Sequence, residues 1–481
     1  MSVSAKRRKS LPIVIGIVFL LLLAKFTIPA QWFGLPLGYD AGMYRYLFLA
    51  YAKGLPPFLW PALPAWATEH PVGLFMFTTP LLRAGLPVDW LIGWMWDLFP
   101  VLLAGVLAWV TGKRHGIIVG IGTLIAALLS VAYYDGYAAM YWKTYAALLW
   151  MVLTFFFVER KSFWALPCIL LTLVTHHQTG LLFGLALATY WLRILPSHWR
   201  DARWRWGTLA ILVVAGLSVL LYLPLWEKAV YGPLRGLFFL RGDSAPGGSF
   251  PPLQFYVSTG GILLVLGLYG FVLNLRKERG TLWQFSVLWA AIFVLFRLVF
   301  YRRFILQLDF FLLPFVGIAL AQLWHQLRSW LLRGVLIIVL LIQMGFTVWV
   351  ITQRLPSVSL HTYQVVRALP ALVPPGTTVL DLENLSAWFV RGFLPEHQVG
   401  APGLLDWPDW TIETWEKFII TSSHAEFAEM LKAMPQPLVL FASPDFHGYY
   451  GAAARRFVDD PCMEILSDWV YRNVCTANPT P

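Results

Sequence analysis

The apolar positions of the chain are collected in long segments, and short polar loops separate them. Segments such as 11–30 and 334–352 are long enough to cross the ~30 Å hydrocarbon layer of a bilayer as α-helices. The pattern predicts eleven spans, at 11–30, 90–110, 116–132, a segment ending near 158, 163–175, 179–194, 208–225, 255–274, 282–299, 304–324 and 334–352. The sequence therefore predicts a polytopic α-helical membrane protein, and its 58% hydrophobic and 13% charged residues agree with that class.

The basic residues are placed so that they orient these spans. The run Lys6-Arg7-Arg8-Lys9 precedes the first span, and further Lys and Arg clusters follow every second crossing. Under the positive-inside rule this predicts a cytoplasmic N-terminus, an extracytoplasmic C-terminus and a multi-pass protein of the plasma membrane. Because the net charge of +11 is carried by such loops, the basic character does not indicate nucleic-acid binding.

Two long stretches fall outside the predicted spans. Residues 31–89 form an outer loop whose apolar part, 71–87, is interrupted by prolines and predicts a juxtamembrane or re-entrant helix. Residues 354–481 carry 8 Lys and Arg but 14 Asp and Glu, against 28 and 11 in the residues before them. We therefore expect a transmembrane domain at 1–353, including the loop, and an extracytoplasmic domain at 354–481.

The C-terminal domain is predicted to be a small α/β domain. Residues 377–380 and 437–441 have the composition of short buried strands, and 413–434 has helical character. Cys462 and Cys475 both lie here, and an extracytoplasmic location allows them to pair, although the sequence leaves their pairing open. The third cysteine, Cys168, lies in an apolar span and is expected to pack as a small hydrophobe.

Three acidic residues in outer loops are the leading candidates for chemistry. Asp40 lies in the sequence GYDAGMY just after the first span, Glu69 opens the sequence EHPVGL, and Asp135 lies among tyrosines after the third span. Each also has a structural explanation: a helix N-cap for Asp40, a carboxylate at a helix start for Glu69 and a turn residue for Asp135. Within the spans, Asp309 is predicted to pair with Arg297, and Asp97 requires a polar partner that the sequence does not identify.

The combination of topology and outer-loop acids resembles the GT-C superfamily of membrane glycosyltransferases. Members include protein O-mannosyltransferases and the lipid A aminoarabinose transferase, and they carry an aspartate after the first span at the position of Asp40. Glu69 matches an acidic position before the juxtamembrane helix, although His70 stands where a lysine is usual. Asp135 matches a second acidic position after the third span, whereas the pair His176 and His177 departs from the Lys-Gly of the family.

The resemblance implies an enzyme that transfers a sugar from a polyprenyl phosphate to an acceptor on the outer face. It implies Asp40 as general base and Glu69 and Asp135 as acceptor-positioning residues or ligands of a divalent metal such as Mg, Mn or Zn. Candidates for binding the donor phosphate are basic side chains, namely His70, His176, His177, Arg241, Arg302 and Arg303. The histidine pair could instead be solvated turn residues, and the arginine pair interfacial anchors.

Two other classes of function fit the same topology. A lipid-linked saccharide transporter or flippase typically has ionisable groups at mid-membrane and inverted repeats, whereas here most acids lie on one face and no repeat is visible. A non-catalytic membrane scaffold explains the spans but not the clustered acids. The implied partners of the enzyme are the polyprenyl-phosphate donor, a lipid, glycan or protein acceptor, and membrane lipids.

Overall fold

The computed structural model describes residues 5–239, 249–405 and 410–475. The chain forms two compact units. The first, here called the membrane unit, comprises Met1–Pro29, Glu69–Phe77 and Trp94–Arg354. The second, the C-terminal unit, comprises Ala30–Thr68, Thr78–Gly93 and Leu355–Pro481. The predicted outer loop 31–89 is thus divided between the units, with most of it in the second.

Helices make up nearly all of the chain up to residue 353. They are α1 (Ala5–Phe33), α2 (Ala41–Lys53), α3 (Gly73–Arg83), α4 (Val88–Ile92), α5 (Trp94–His115), α6 (Ile117–Leu129), α7 (Val131–Ala138), α8 (Trp142–Glu159), α9 (Ala165–Thr175), α10 (His177–His198), α11 (Ala202–Tyr222), α12 (Gly232–Phe239), α13 (Leu253–Lys277), α14 (Leu282–Leu295), α15 (Phe304–Gln326) and α16 (Trp330–Gln353). Short 3-10 or π turns lie at Ala67–Glu69, Leu223–Leu225 and Trp226–Tyr231.

Eight helices of the described residues are long and apolar enough to cross a membrane, or nine if the bent pair α6 and α7 is one span. Helices α9 and α14 are apolar but shorter, and they coincide with two further predicted spans. The prediction of a polytopic helical membrane protein is therefore confirmed, while the count of eleven stays a prediction. Helix α3 has 11 residues, about half of what a span requires.

Helix α15 is the centre of the membrane unit, since 94% of its apolar window is buried. It packs closely against α6 through two glycines. A Cβ atom on Gly122 would lie 2.9 Å from the Cα of Gly317 and 3.1 Å from its carbonyl oxygen. Without a side chain at either position the two backbones approach closely, as they commonly do at small residues in membrane helices.

A break between α6 and α7 replaces the predicted outer loop at 133–137. The two helices meet at an angle of 56°. Ser130 lies at the junction in an extended conformation, and its hydroxyl accepts a hydrogen bond of 2.9 Å from the backbone N–H of Tyr133. The serine therefore ends one helix and caps the next, and the tyrosine-rich sequence continues as a helix rather than as a turn.

The C-terminal unit contains a six-stranded sheet in the order β3-β2-β1-β4-β6-β5. The strands are β1 (Thr378–Asp381), β2 (Val399–Ala401), β3 (Leu404–Leu405), β4 (Leu438–Phe441), β5 (Met463–Ser467) and β6 (Val470–Asn473). Strands β1 and β4 are parallel neighbours, which confirms the two strands predicted from the sequence. Both are fully buried, as expected of apolar strands covered on two faces.

Helices surround this sheet. They are α17 (Leu360–Leu372), α18 (Asn384–Phe393), α19 (Ile412–Glu416), α20 (His424–Lys432), α21 (Pro444–Tyr450) and α22 (Ala452–Asp459). The predicted helical stretch 413–434 is interrupted, because Ser423 caps a new helix with a reciprocal bond to Glu426. Cys462 and Cys475 form a disulfide bond. The predicted small α/β domain is therefore confirmed, and the pairing of the cysteines is resolved.

Candidate functional site

Basic side chains from four separate segments meet in the membrane unit. They are His70, Lys143, His176, His177 and Arg303, here called the basic cluster. His70 precedes α3, Lys143 lies in the first turn of α8, the other two histidines join α9 to α10, and Arg303 precedes α15. Four of these residues were predicted from the sequence as candidates, and Lys143 was not. Its signal was a lysine at the start of an otherwise apolar span.

A glycine allows the segment of His70 to approach the histidine turn. A Cβ atom on Gly73 would lie 2.7 Å from both the Cα and the backbone nitrogen of Thr175. Because any larger residue would push α3 away from the end of α9, Gly73 sets the separation of the two histidine-bearing segments. This explains why the glycine of the sequence EHPVGL stands three residues after His70.

His70 is a neutral hydrogen-bond donor in this environment. Burial, together with the charges of Lys143, His177 and Arg303, holds the pKa of His70 well below its ordinary value of 6.5. The ammonium of Lys143 contacts the Nδ1 atom of the imidazole. A lysine can only donate, so Nδ1 accepts, and the remaining hydrogen of the neutral ring is on Nε2.

His176 has the same protonation pattern for a different reason. It is the N-cap of α10, where its Nδ1 accepts from the backbone N–H of Thr179 at 3.4 Å and contacts the Thr179 hydroxyl at 2.8 Å. Burial, His177, Lys143 and Arg303 hold the pKa of His176 well below 6.5. The alternative that both histidines are solvated turn residues does not hold for His176, which is buried, whereas His177 is half-buried.

Arg303 is the member of the arginine pair that belongs to the basic cluster. Its Nη2 donates to the hydroxyl of Ser249 at 3.3 Å, and its guanidinium carbon lies 5.8 Å from the ring centre of Tyr141. Tyr141 in turn donates to the carbonyl of Ser249 at 3.0 Å. Arg302 instead lies over the ring of its neighbour Tyr301, with 5.9 Å between the guanidinium carbon and the ring centre.

Several buried polar atoms near the cluster have no hydrogen-bond partner among the described residues. They are Thr175 Oγ1, His177 Nδ1, both side-chain polar atoms of Gln178, Arg302 Nε, Arg303 Nε and Gln307 Oε1. The sequence neighbours of His176 and Arg303 thus hold both unused donors and unused acceptors. Native structures leave few such groups unsatisfied, so this concentration is what a polar ligand site requires.

Asp135 is not an exposed turn residue. It is buried on α7, and its Oδ1 accepts a hydrogen bond of 2.6 Å from Nε of Arg354. The side chain of Asp135 is 4% exposed and that of Arg354 is 32% exposed. The structure therefore gives Asp135 a fixed cationic partner at the end of α16.

Asp309 and Asp97 are also buried in the membrane unit, and their hydrogen-bond partners are neutral. Asp309 accepts from Ser130 Oγ at 2.5 Å and from the Tyr256 hydroxyl at 3.1 Å. The structure gives Asp309 these two partners in place of the predicted Arg297. Asp97, whose partner the sequence did not identify, accepts from the Tyr137 hydroxyl at 2.6 Å.

Asp40 lies in the C-terminal unit, half-buried immediately before α2. It occupies the N-cap position, but its side chain makes no capping hydrogen bond, so the N-cap explanation does not account for it. The following helix is held firmly: Arg45 forms an ion pair of 2.8 Å with Asp89 and donates to the carbonyl of Gly392 at 2.6 Å. Asp40 therefore stands at the start of an anchored helix.

The structure does not describe the side chains of two predicted site residues. Arg241 lies outside the described residues. Glu69 ends the 3-10 turn Ala67–Glu69, but its side chain also lies outside the described part of the chain. Their predicted roles stay predictions.

Comparison with known proteins supplies the fold family. No protein-family model matches the chain, and no curated protein matches it. Among solved structures, the oligosaccharyltransferase AglB from Archaeoglobus fulgidus, in complex with an inhibitory peptide and a dolichol-phosphate, has a TM-score of 0.63 at 12% identity, over 94% of this chain and 71% of that chain. ArnT from Cupriavidus metallidurans bound to undecaprenyl phosphate has a TM-score of 0.58 at 16% identity, over 97% of this chain and 99% of that chain.

This chain has a GT-C fold. AglB and ArnT are both members of the GT-C superfamily, so the resemblance seen in the sequence is confirmed at the level of fold. A structure of the Archaeoglobus fulgidus oligosaccharyltransferase in complex with zinc and sulfate has a TM-score of 0.60 at 12% identity, over 92% of this chain and 69% of that chain. The fold is the common feature at these identities, and function has to be argued from the site.

A metal centre is not assembled by the described residues. The group that comes nearest is His424, Asp460 and Cys462 in the C-terminal unit, with ligand atoms within 4.8 Å of one another. The sulfur of Cys462 is bonded to Cys475 and cannot bind a metal as a thiolate. His424 and Asp460 form a hydrogen-bonded pair at 2.9 Å, and two ligands do not make a structural metal site.

Proposed function

We propose that this protein is a glycosyltransferase that moves a sugar from a polyprenyl-phosphate donor to an acceptor on the outer face of the membrane. The observation that carries the proposal is the basic cluster in a chain of GT-C fold. AglB and ArnT structures of the same fold contain dolichol-phosphate and undecaprenyl phosphate. A lipid phosphate is therefore the anion that best fits a buried group of cations and imidazole donors in a membrane protein.

The cluster offers two kinds of interaction to a phosphate. Lys143 and Arg303 supply positive charge. In the neutral rings of His70 and His176 the Nδ1 atom accepts a hydrogen bond, which leaves the ring hydrogen on Nε2. As the bond between the sugar and the phosphate breaks, negative charge develops on the phosphate oxygen. Hydrogen-bond donors that are already in position stabilise the charged leaving group more than they stabilise the intact lipid-linked sugar. This difference is how such a site accelerates the reaction.

Asp40 is the proposed general base. In the transfer, the acceptor hydroxyl gives its proton to the Asp40 carboxylate, its oxygen bonds to C1 of the sugar, and the bond from C1 to the phosphate oxygen breaks. The electron pair of that bond leaves with the lipid phosphate. Its place between α1 and α2, in the sequence GYDAGMY, matches the position of the aspartate that follows the first span in GT-C enzymes, and this match supports the role.

Glu69 and Asp135, the other two candidate carboxylates, are not equally well supported. Glu69, adjacent to His70 in the sequence, is proposed to position the acceptor or to bind a divalent metal. Asp135 is supported less well as a metal ligand, because a cation there would compete with the guanidinium of Arg354 at 2.6 Å. No step of the proposed reaction depends on a metal, and Zn, Mg or Mn enters only as a requirement to be tested.

Sugar transfer by the purified full chain in detergent tests the proposal. The assay uses a panel of radiolabelled polyprenyl-phosphate sugars and a membrane extract as the acceptor source, with and without a chelator. We expect transfer in the wild type and a loss of roughly a hundredfold or more in Asp40→Asn, at unchanged thermal stability. Transfer that survives in Asp40→Asn would keep the enzyme class but remove Asp40 as base.

A second pair of variants separates the basic cluster from general charge effects. Lys143→Met removes a cluster cation, whereas Lys113→Met removes an exposed lysine at the far end of α5. We expect the first to abolish transfer and the second to leave it unchanged. Absence of transfer with every donor in the wild type would count against the enzyme and favour the transporter or scaffold alternatives.

A further inference from the structure

A polar groove lies within the C-terminal unit, between α2 and the segment 391–398, which comprises the end of α18 and the loop that leads to β2. Its volume is about 610 Å³, which falls in the range of roughly 300 to 1,000 Å³ typical of small-molecule sites. Its lining includes Tyr46, Lys53, Arg391, Glu396, His397 and Gln398. None of them belongs to the basic cluster or to the candidate base.

The groove combines both signs of charge with planar polar groups. Lys53 at the end of α2 forms an ion pair with Glu396, and their side chains are 61% and 67% exposed. The ion pair therefore joins the two walls while keeping most of its polar atoms accessible. Gln398 is exposed as well. Together these side chains offer donors and acceptors side by side, without a strong net charge.

The floor of the groove is rigid. Arg391 is buried, its guanidinium carbon lies 4.2 Å from the ring centre of Tyr46, and its Nη1 donates to the carbonyls of Leu394, Pro395 and His397. These bonds fix the segment 394–397 against α2. Arg83 holds the end of α2 on the other side by donating to Ala52 at 3.1 Å and Gly54 at 2.5 Å. A preformed site costs less ordering entropy when a ligand binds.

Three classes of ligand can be compared with this lining. A phosphate favours a net positive site, and Glu396 places a carboxylate in the groove. An extended peptide favours a free sheet edge, but β2, which follows Gln398, is already paired with β1 and β3. A saccharide has closely spaced hydroxyls that both donate and accept, which matches paired Lys, Glu and Gln side chains beside apolar proline walls at Pro61 and Pro64.

We propose that this groove binds a saccharide portion of the acceptor. The inference rests on the proposed glycosyl transfer, and it adds the acceptor's chemical class, a neutral or weakly charged glycan. Lys53, Glu396 and Gln398 are assigned as the residues that bind its hydroxyls. The groove acts in binding and not in the chemical step.

Direct binding to a printed array of neutral and anionic oligosaccharides, with a peptide array beside it, tests the groove. The probe is the fluorescently labelled full chain in detergent. The test variants are the double variant Lys53→Ala with Glu396→Ala, and Gln398→Ala. The matched control is Lys432→Ala with Glu429→Ala, which removes another exposed Lys–Glu pair, at 3.1 Å on α20. All these positions are at the surface, where such substitutions change stability little.

We expect wild type to bind a subset of the oligosaccharides, and the Lys53 and Glu396 double variant to bind them at least about tenfold more weakly, as loss of hydrogen bonds to charged groups predicts. The control pair should bind as wild type does. Saccharide binding that is unchanged in the groove variants, no binding of any saccharide, or binding of peptides instead would each overturn the assignment.

Asp40→Asn separates this inference from the proposed function. It should retain saccharide binding while transfer is lost. Saccharide binding at the groove without transfer by the wild type would support the groove assignment and count against the glycosyltransferase proposal. Transfer by the wild type with no saccharide binding would support the glycosyltransferase proposal and refute the groove assignment.

Discussion

The ammonium of Lys25 donates a hydrogen bond of 2.7 Å to the carbonyl oxygen of Ser130, at the break between α6 and α7. The same ammonium donates to the carbonyls of Ala127 and Leu128 at 3.0 and 2.9 Å. A helix that ends inside a membrane protein leaves its last carbonyls without partners, and each must be satisfied within the protein. Lys25 supplies those partners from α1.

Replacement of Lys25 by methionine should therefore lower the free energy of unfolding by about 3 kcal/mol, because it leaves several buried carbonyls unpaired. Thr347→Val is the graded comparison, since Thr347 bonds a single carbonyl of the same helix end, that of Leu129, at 2.6 Å. We expect a smaller loss there, about 1 kcal/mol. Thermal unfolding of the purified protein in detergent gives both values, and an equal effect of the two substitutions would refute the account of the helix break.

The basic cluster predicts a loss of stability in acid. The folded-state pKa values of His70 and His176 are lowered, so below about pH 6.5 the unfolded chain binds protons that the folded chain does not. The histidine contribution to stability is therefore complete above pH 6.5 and declines as the pH falls below it. In melting temperatures measured from pH 7.5 to 5.0, His70→Gln should decline less steeply than wild type.

The control for this titration is His325→Gln, which changes an exposed histidine at the end of α15. Its melting temperatures should follow the wild-type profile. A wild-type profile without any decline below pH 6.5, or an identical slope in His70→Gln, would show that His70 is not held neutral by its surroundings.

Asp135 and Arg354 are predicted to act as a structural pair. Their 2.6 Å contact is buried on the aspartate side and partly exposed on the arginine side. Arg354→Met should lower the free energy of unfolding by about 2 kcal/mol. This is less than the loss expected on breaking a fully buried pair, because solvent screens the guanidinium. Asp135→Asn with Arg354→Gln should recover part of that loss. If Asp135→Asn abolished transfer at unchanged stability, Asp135 would belong to the reaction instead.

The disulfide should stabilise the C-terminal unit. It closes a loop with a sequence separation of 13, for which the chain-entropy argument gives about 3 kcal/mol. Cys462→Ala with Cys475→Ala should lower the melting temperature by a corresponding amount. Peptide mapping without reductant should recover Cys462 linked to Cys475 and Cys168 as a free thiol. Recovery of alkylated Cys462 from the untreated protein would contradict the pairing.

The helical membrane architecture was predictable because apolar spans and basic loops are local properties of the sequence. Strands β1 and β4 were predictable for the same reason. The helix break at Ser130 was not, because its stability depends on Lys25, which is more than a hundred residues away. The tyrosine-rich sequence after Ser130 has the composition of an interfacial turn, but its tyrosines are buried against Phe26 of α1, a contact that the local sequence does not show.

The site was predictable by residue type rather than by arrangement. Histidines and arginines in outer loops were evident candidates, and His70, His176, His177 and Arg303 do come together. The sequence could not show that Lys143 joins them, since it lies at the start of a span where an anchoring lysine is ordinary. The sequence also could not show that Asp309 is bonded to Ser130 and Tyr256 rather than to Arg297. Ser130 and Tyr256 are far from Asp309 in the sequence, and only the packing of the helices brings them to it.

Binding of undecaprenyl phosphate is the most direct measure of the claim that the basic cluster holds a lipid phosphate. Native mass spectrometry of the protein released from detergent would compare wild type, Lys143→Met and the control Lys113→Met over a titration of the lipid. We expect one saturable lipid in wild type and in Lys113→Met, and an affinity lower by roughly tenfold or more in Lys143→Met. Equal binding by all three proteins would contradict it.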